Sequence, residues 1–286
     1  MNLNELLDRV SLKAAGLRAG LEVRVVKGHL DCMPLDADDP RYSLDLVLPS
    51  MCMVERCRAD VFDFFLPLID AGWLTEGQMR RAAARYMLGR TRSGKPLFWM
   101  IDDLWTPLDG HIGQDGWVST LLKAREPLLA CWRPRHCLFG LHLLTEHEQH
   151  EAAGKGWCDG QRDSYGLYGV GERRWADQRP VGIVEREATA VVLSELFPQV
   201  TWMAYAALPL LSVELFAPLV GCNVTIYPNV ELSTGGFDFF LDFAATVRRC
   251  YNIRIAVDDT LERYATEAMR EQGADLVGAM RGKYEI

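Results

Sequence analysis

Two acidic corners draw attention in the C-terminal third of the chain. The segment VGIVEREATA is an apolar run that ends in Glu185 just before a helical pattern. The segment NVTIYPNVEL ends a second apolar run and leaves Asn229 and Glu231 just past it. In open α/β sheets, ligands bind outside the carboxyl ends of the strands, so residues at strand tips are the first candidates for chemistry. A plainer reading stays open beside it: Glu185 as a solvated strand-end residue, and Asn229 with Glu231 as a loop after Pro228.

A different chemistry is suggested further upstream. Residues 80–95, RRAAARYMLGRTRSGK, carry Arg80, Arg81, Arg85, Arg90, Arg92 and Lys95 and no acid. Arg81 and Arg85 lie four apart and share a helix face. Arg90, Arg92 and Lys95 crowd a turn. Such a cluster suits phosphate contacts, which position nucleic acid and make binding salt-sensitive. Tyr86, Phe98 and Trp99 are near enough in sequence to stack bases. The alternative is a solvated helix face with core aromatics, because PLFWMIDD alternates like a half-buried strand.

Other constellations lead nowhere. Gly89-x-x-x-x-Gly94-Lys95 matches most of a P-loop, but Pro96 stands where Ser or Thr must hold magnesium, and the segment reads helix–turn–strand. In HLLTEHEQH, His142, His147 and His150 lack the H-E-x-x-H spacing, and an exposed polar helix end is expected. Cys131, His136 and Cys137 sit close together in CWRPRHC without a second cysteine pair, which argues against zinc. No G-x-S-x-G elbow and no G-x-G-x-x-G between strand and helix occurs.

These residues need elements to hold them. Residues 1–20 repeat apolar side chains at helical spacing, LEVRVVKGHL reads as one short strand, and 54–70 as a helix. Thr75 is an N-cap for EGQMRRAAARYML, which stops at Gly89. PLFWMIDD is a strand, a turn is expected at Asp109-Gly110, and WVSTLLKA is a helix or a strand. From Val181 onward, four apolar strands alternate with four helical patterns: VGIVE, TAVVLSELF, VTWMAYA, LSVELFAPLV, NVTIYP, FDFFLDFAATVRRCY, IRIAV and LERYATEAMREQG. That alternation predicts a mostly parallel sheet flanked by helices. The expected organisation is therefore a mainly helical region at 1–74, an α+β region with a small antiparallel sheet and the basic turn at 75–145, a polar Gly-rich insertion or linker at 146–179, and an α/β domain at 180–286.

Composition sets outer limits. A chain of 286 residues can build one large domain or two modest ones. A net charge of −8 means that polyanions are attracted only by a local basic patch. The eight cysteines form no C-x-x-C pair. No apolar run approaches the length of a membrane span, so no membrane partner is expected. The N-terminal residues carry acids early and do not read as a signal peptide, which leads us to expect a cytoplasmic protein with free thiols.

The segments VEREATA, WMAYAAL and IYPNVEL resemble the motifs of toprim-like proteins from an uncharacterised bacterial group related to primase and mobile-element toprim proteins. The runs RYMLGRTRSGKPLFWMIDD and CLFGLHLL look like the same group, so the resemblance spans roughly 75–286. It implies a toprim-like, Rossmann-like fold. It also implies that Glu185 matches the toprim glutamate of acid–base or metal chemistry, and that Asn229 and Glu231 stand where an Asp-x-Asp pair would hold magnesium.

This sequence departs from that pattern. Asn229 is neutral, Glu231 is one methylene longer than Asp, Ala188 replaces a lysine, and Ala206-Ala207 replaces a Gly-Gly turn. Magnesium prefers hard anionic oxygens in octahedral array, so the change at Asn229 weakens the site. The expectation is a degenerate, non-catalytic, nucleic-acid-associated protein, bound to DNA through Arg80, Arg81, Arg85, Arg90, Arg92 and Lys95 and serving replication or mobilisation of a bacterial genetic element. No cofactor is expected in that case. Two alternatives are kept: a magnesium-dependent nucleotidyl-transferring or nicking enzyme in which Glu185 is catalytic and Glu185, Asn229 and Glu231 hold the metal, and a protein-interaction module that uses an apolar patch at 54–74.

Overall fold

The computed structural model describes residues 21–26, 29–34, 62–90, 95–103, 107–113, 116–125, 134–145, 179–230 and 235–283. Its strands in chain order are β1 (Leu21–Val26), β2 (His29–Pro34), β3 (Gly89–Arg90), β4 (Pro96–Ile101), β5 (Pro107–His111), β6 (Val181–Val184), β7 (Thr201–Ala204), β8 (Asn223–Ile226) and β9 (Arg254–Val257). The α-helices are α1 (Leu66–Asp70), α2 (Glu76–Arg85), α3 (Val118–Arg125), α4 (Glu187–Leu196), α5 (Gly235–Tyr251), α6 (Thr260–Tyr264), α7 (Glu267–Glu271) and α8 (Leu276–Lys283). The chain divides into two compact units. One comprises Met1–Arg56, Gly89–Arg135 and His142–Ala176; the other comprises Cys57–Leu88, His136–Leu141 and Asp177–Ile286.

The first unit holds the small antiparallel sheets. β1 and β2 pair with Val26 opposite His29, so the single strand expected at 21–30 is a hairpin. Two alternating runs separated by a two-residue, glycine-containing connection carry that signal in the sequence. A three-stranded antiparallel sheet has the order β3-β4-β5. Asp109 and Gly110 do not form the expected turn. They lie inside β5, opposite Met100 and Trp99. Gly110 is there for packing: a Cβ would stand 2.8 Å from Val118 Cγ2 and 2.9 Å from Leu97 Cδ1. Asp109 is fully buried, and its carboxylate accepts from the amides of Gly110 at 2.7 Å and Ser119 at 3.0 Å. The second bond caps the first turn of α3, where backbone amides have no partner within the helix.

The second unit is built on a four-stranded parallel sheet of order β7-β6-β8-β9, flanked by helices. The strands VGIV and TWMA are short and nearly all apolar because both faces of a parallel sheet are covered, and Ile183, Met203 and Ala204 are wholly buried. Gly182 has no side chain because the Trp202 ring occupies the space: a Cβ would meet Trp202 Cε3 at 2.6 Å. The Trp202 indole reaches on to Tyr227, ring centres 5.2 Å apart.

Helix α2 belongs to this unit. Thr75 caps it as expected, in a reciprocal box with Gln78. Met79, Ala82 and Ala83 are its buried face. The hydroxyl of buried Tyr86 donates to the Trp202 carbonyl at 2.7 Å, and its ring stacks on Phe139 at 5.2 Å. Phe139 in turn exchanges two backbone bonds with Ala204, at 2.8 and 3.1 Å, along the outer side of β7. Gly140 follows with φ +84°, and a Cβ there would press to 3.0 Å from both the Trp202 carbonyl oxygen and the Tyr86 ring.

Two expected helices differ. LSVELFAPLV forms a 3₁₀ stretch, Val213–Leu219, with Pro218 inside it. Proline removes an amide and clashes with the preceding turn, which disfavours an α-helix there. LERYATEAMREQG is split into α6 and α7, because Thr266 leaves the helix and caps a new one through the Met269 amide. The expected helix at 54–70 appears, within its described part, as a 3₁₀ turn at Asp63–Phe65 followed by α1. Residues 1–20 and most of the linker at 146–179 lie outside the described residues.

Candidate functional site

The order of the parallel sheet creates a crevice. From β6 the chain moves outward to β7 on one side, then returns to place β8 on the other side of β6. Ligand sites of α/β sheets lie at such a switch, beyond the carboxyl ends of the two central strands. Glu185 is the residue immediately after β6, and Asn229 lies three residues after β8. The strands are direct neighbours, Ile183 facing Ile226, and the Tyr227 amide donates to the Ile183 carbonyl at 2.8 Å. Both side chains therefore rise from one rim. The Asn229 amide Nδ2 donates to Glu185 Oε2 at 2.6 Å, and the bond is partly buried.

That contact fixes the chemistry available. A carboxylate only accepts hydrogen bonds, so the Asn229 amide must turn its nitrogen toward Glu185. Magnesium takes several oxygen ligands at about 2.0–2.1 Å, and the Asn229 atom that faces Glu185 is a nitrogen. Glu231 lies outside the described residues. Among the described residues no group of three or more His, Cys, Asp or Glu could hold a metal.

Sequence reasoning missed Asp258, which sits just past β9 on the same rim. Its amide donates to the Ile226 carbonyl at 2.8 Å, and its carboxylate accepts from the Thr260 amide at 2.9 Å. A shallow crevice is lined by Pro228, Asn229, Val230, Gly236, Phe237, Asp258 and Glu262. Glu262 is held by the Arg270 guanidinium, with both carboxylate oxygens 3.1 Å from Nη1. Burial, and then the negative charge of Asp258, hold the Tyr227 hydroxyl above the usual tyrosine range. The signal for Asp258 is the one that marks Glu185: an acid directly after a short apolar strand.

The basic residues divide between the two units. In the second unit, Arg81 and Arg85 both pair with Glu195 of α4, at 3.5 and 2.8 Å, and the Glu195 side chain is only 7% exposed. Arg80 pairs with Glu76 one turn earlier, at 3.4 Å. All three arginines of α2 are thus paired, while Arg80 and Arg81 stay exposed. In the first unit, Arg90 is in β3 opposite Pro96 of β4, and exposed Lys95 precedes β4, so the two flank one hairpin connection. Arg92 lies outside the described residues. The aromatics proposed for stacking are core: Tyr86, Phe98 and Trp99 are at most 5% exposed.

The remaining candidates resolve simply. The P-loop look-alike begins with β3 itself and runs into β4, where a P-loop needs a helix. His142 is fully buried on a 3₁₀ stretch instead of standing on an exposed helix end, while His147 and His150 lie outside the described residues. Within 62–74, Phe62, Phe65, Leu68 and Leu74 are core, Phe64, Ile69 and Trp73 are half-buried, and Leu66 is exposed. No helix among the described residues is long and apolar enough to cross a membrane.

Fold and site together define an α/β protein with a parallel sheet and a carboxylate–amide pair at its switch point. A family model described as a domain of unknown function (DUF6371) matches residues 161–230, a span that includes β6 through β8 and both members of the pair. The chain is similar to that domain over less than half its length. No curated protein and no solved structure matches it.

Proposed function

We propose that this is a nucleic-acid-associated protein whose α/β unit is built like a toprim domain, with a switch-point rim that does no metal-dependent chemistry. The observation that carries the reading is the 2.6 Å bond from Asn229 to Glu185. An amide donor satisfies the carboxylate that a cation would otherwise neutralise. The rim keeps the acid in its place while giving up the charge needed for magnesium, which suits a scaffold better than a phosphoryl-transfer centre.

DNA contact is assigned, on the basic run of the sequence, to Arg90, Arg92 and Lys95, of which Arg90 and Lys95 lie at the ends of the connection between β3 and β4. The arginines of α2 already serve Glu195 and Glu76. On the resemblance, the setting is replication or mobilisation of a bacterial genetic element.

The test is binding of the full chain to short single- and double-stranded DNA across a salt series, beside calorimetric titration with magnesium or manganese. Binding at low salt should weaken as salt rises. The combined change Arg90→Ala, Arg92→Ala, Lys95→Ala should flatten the logarithmic salt slope by up to about 3, at about 0.9 for each phosphate no longer neutralised. No binding at low salt removes the nucleic-acid reading and leaves the protein-interaction module. Metal binding that disappears in Glu185→Gln replaces it with the enzyme.

A further inference from the structure

Ala206 follows β7 with φ +67°, in the left-handed region that L-residues with a Cβ avoid. The Ala207 amide donates to the Tyr205 carbonyl at 2.8 Å, which makes Ala206 the centre of a three-residue turn. With positive φ at its centre, this is the rare and strained form of γ-turn. Strain of this kind persists where its surroundings over-determine it, and it concentrates at functional sites.

The surroundings here are the rim. The Ala206 amide donates to the Glu185 backbone carbonyl at 2.9 Å, and the Tyr205 amide donates to the Val184 carbonyl at 3.2 Å. The bonding between β7 and β6 therefore runs past both strand ends, up to the residue that bears the carboxylate. On the other side, the Tyr227 amide holds the Ile183 carbonyl at 2.8 Å. The backbone of 183–185 is gripped by both of its neighbours.

We propose that Ala206 is a positioning residue: its strained turn clamps the Glu185 peptide against the end of β7, and that clamp aims the Glu185 carboxylate at Asn229. The inference rests on taking the rim as the functional site, and it deepens that reading by naming what sets the pair's geometry.

The test uses the full chain with ¹⁵N-labelled asparagine and follows hydrogen exchange of the Asn229 side-chain amide, identified by its absence in Asn229→Asp. The wild-type amide is expected to be protected. Ala206→Gly adopts the same turn without strain, so protection is retained and Tm rises. Ala206→Pro fixes φ near −65° and removes the donor, so protection is lost while the far-ultraviolet circular dichroism stays that of the wild type. Should the proline variant not fold, Ala206→Val decides, since its branched side chain resists positive φ but keeps the N–H; faster exchange is expected. Unchanged exchange in the folded proline or valine variant, or loss of protection in the glycine variant, overturns the proposal. The measurement contains neither DNA nor metal, so a negative DNA titration and a failure here are separate results.

Discussion

The side-chain amide of Asn229 bridges two neighbouring parallel strands by donating to the carboxylate of Glu185 at 2.6 Å, 44 residues away in sequence. Replacing the amide by a second acid inverts this relationship. In Asn229→Asp, two carboxylates face each other at hydrogen-bond distance and cannot both ionise freely. We expect a loss of about 1.5–3 kcal/mol at neutral pH, the worth of a hydrogen bond to a charged group. One carboxyl of the variant has a raised folded pKa, so the deficit shrinks as pH falls toward the unfolded carboxylate value of about 4. Scanning fluorimetry in EDTA and in millimolar magnesium checks both points: the cation should raise Tm of the variant and leave the wild type unmoved.

Glu195 is the shared partner of two arginines on α2 and is almost buried. Arg85→Ala removes the shorter of its two ion pairs. The loss should be about 1–2 kcal/mol, below the 3–5 of a fully buried pair because Arg85 is 40% exposed and Arg81 stays in place. The double change Arg81→Ala, Arg85→Ala should cost more than the sum of the single changes. Urea unfolding measures this, and DNA affinity of the folded single variant should be unaltered.

Tyr86→Phe leaves the buried Trp202 carbonyl without its 2.7 Å donor. The expected cost is about 1–3 kcal/mol. Burial also raises the hydroxyl's pKa far above its ordinary value of 10.0, outweighing the opposing charge of Arg85. A raised folded pKa means that the contribution is fully present below about pH 10 and is lost as pH climbs through the folded value. The wild type should lose stability steeply in alkali, and Tyr86→Phe less so, as unfolding midpoints between pH 8 and about 11.5 will show.

Gly182→Ala brings a methyl to 2.6 Å from the Trp202 ring. The indole must leave its place over β6 and its contact with Tyr227, at about 1–3 kcal/mol for an overpacked core. The readouts are a lower urea midpoint and altered near-ultraviolet circular dichroism.

Legibility in the sequence followed periodicity. The run from Val181 showed its strands because a parallel sheet buries both faces and leaves short apolar blocks between helical patterns. Glu185 and Asn229 were visible as strand-end residues for the same reason. What propensity cannot show is which strand lies beside which, so the bond between the two residues required the order β7-β6-β8-β9. The partner that Arg81 and Arg85 share was not legible because Glu195 is over a hundred positions away and looks like any polar residue at a helix end. Asp109-Gly110 has the composition of a turn; only the crowding by Leu97 and Val118 explains a glycine within β5.

The pairing of Tyr86 with Trp202 has a consequence for synthesis. The two residues are 116 positions apart, and the segment that carries Tyr86 contributes core to a sheet whose first strand begins only at Val181. At about 5–20 residues per second on the ribosome, the aromatic cluster around Tyr86 waits roughly 6–23 s for its seat to be translated. During that interval the side chains of Phe62, Phe65 and Tyr86, core in the finished fold, lack the sheet they pack against.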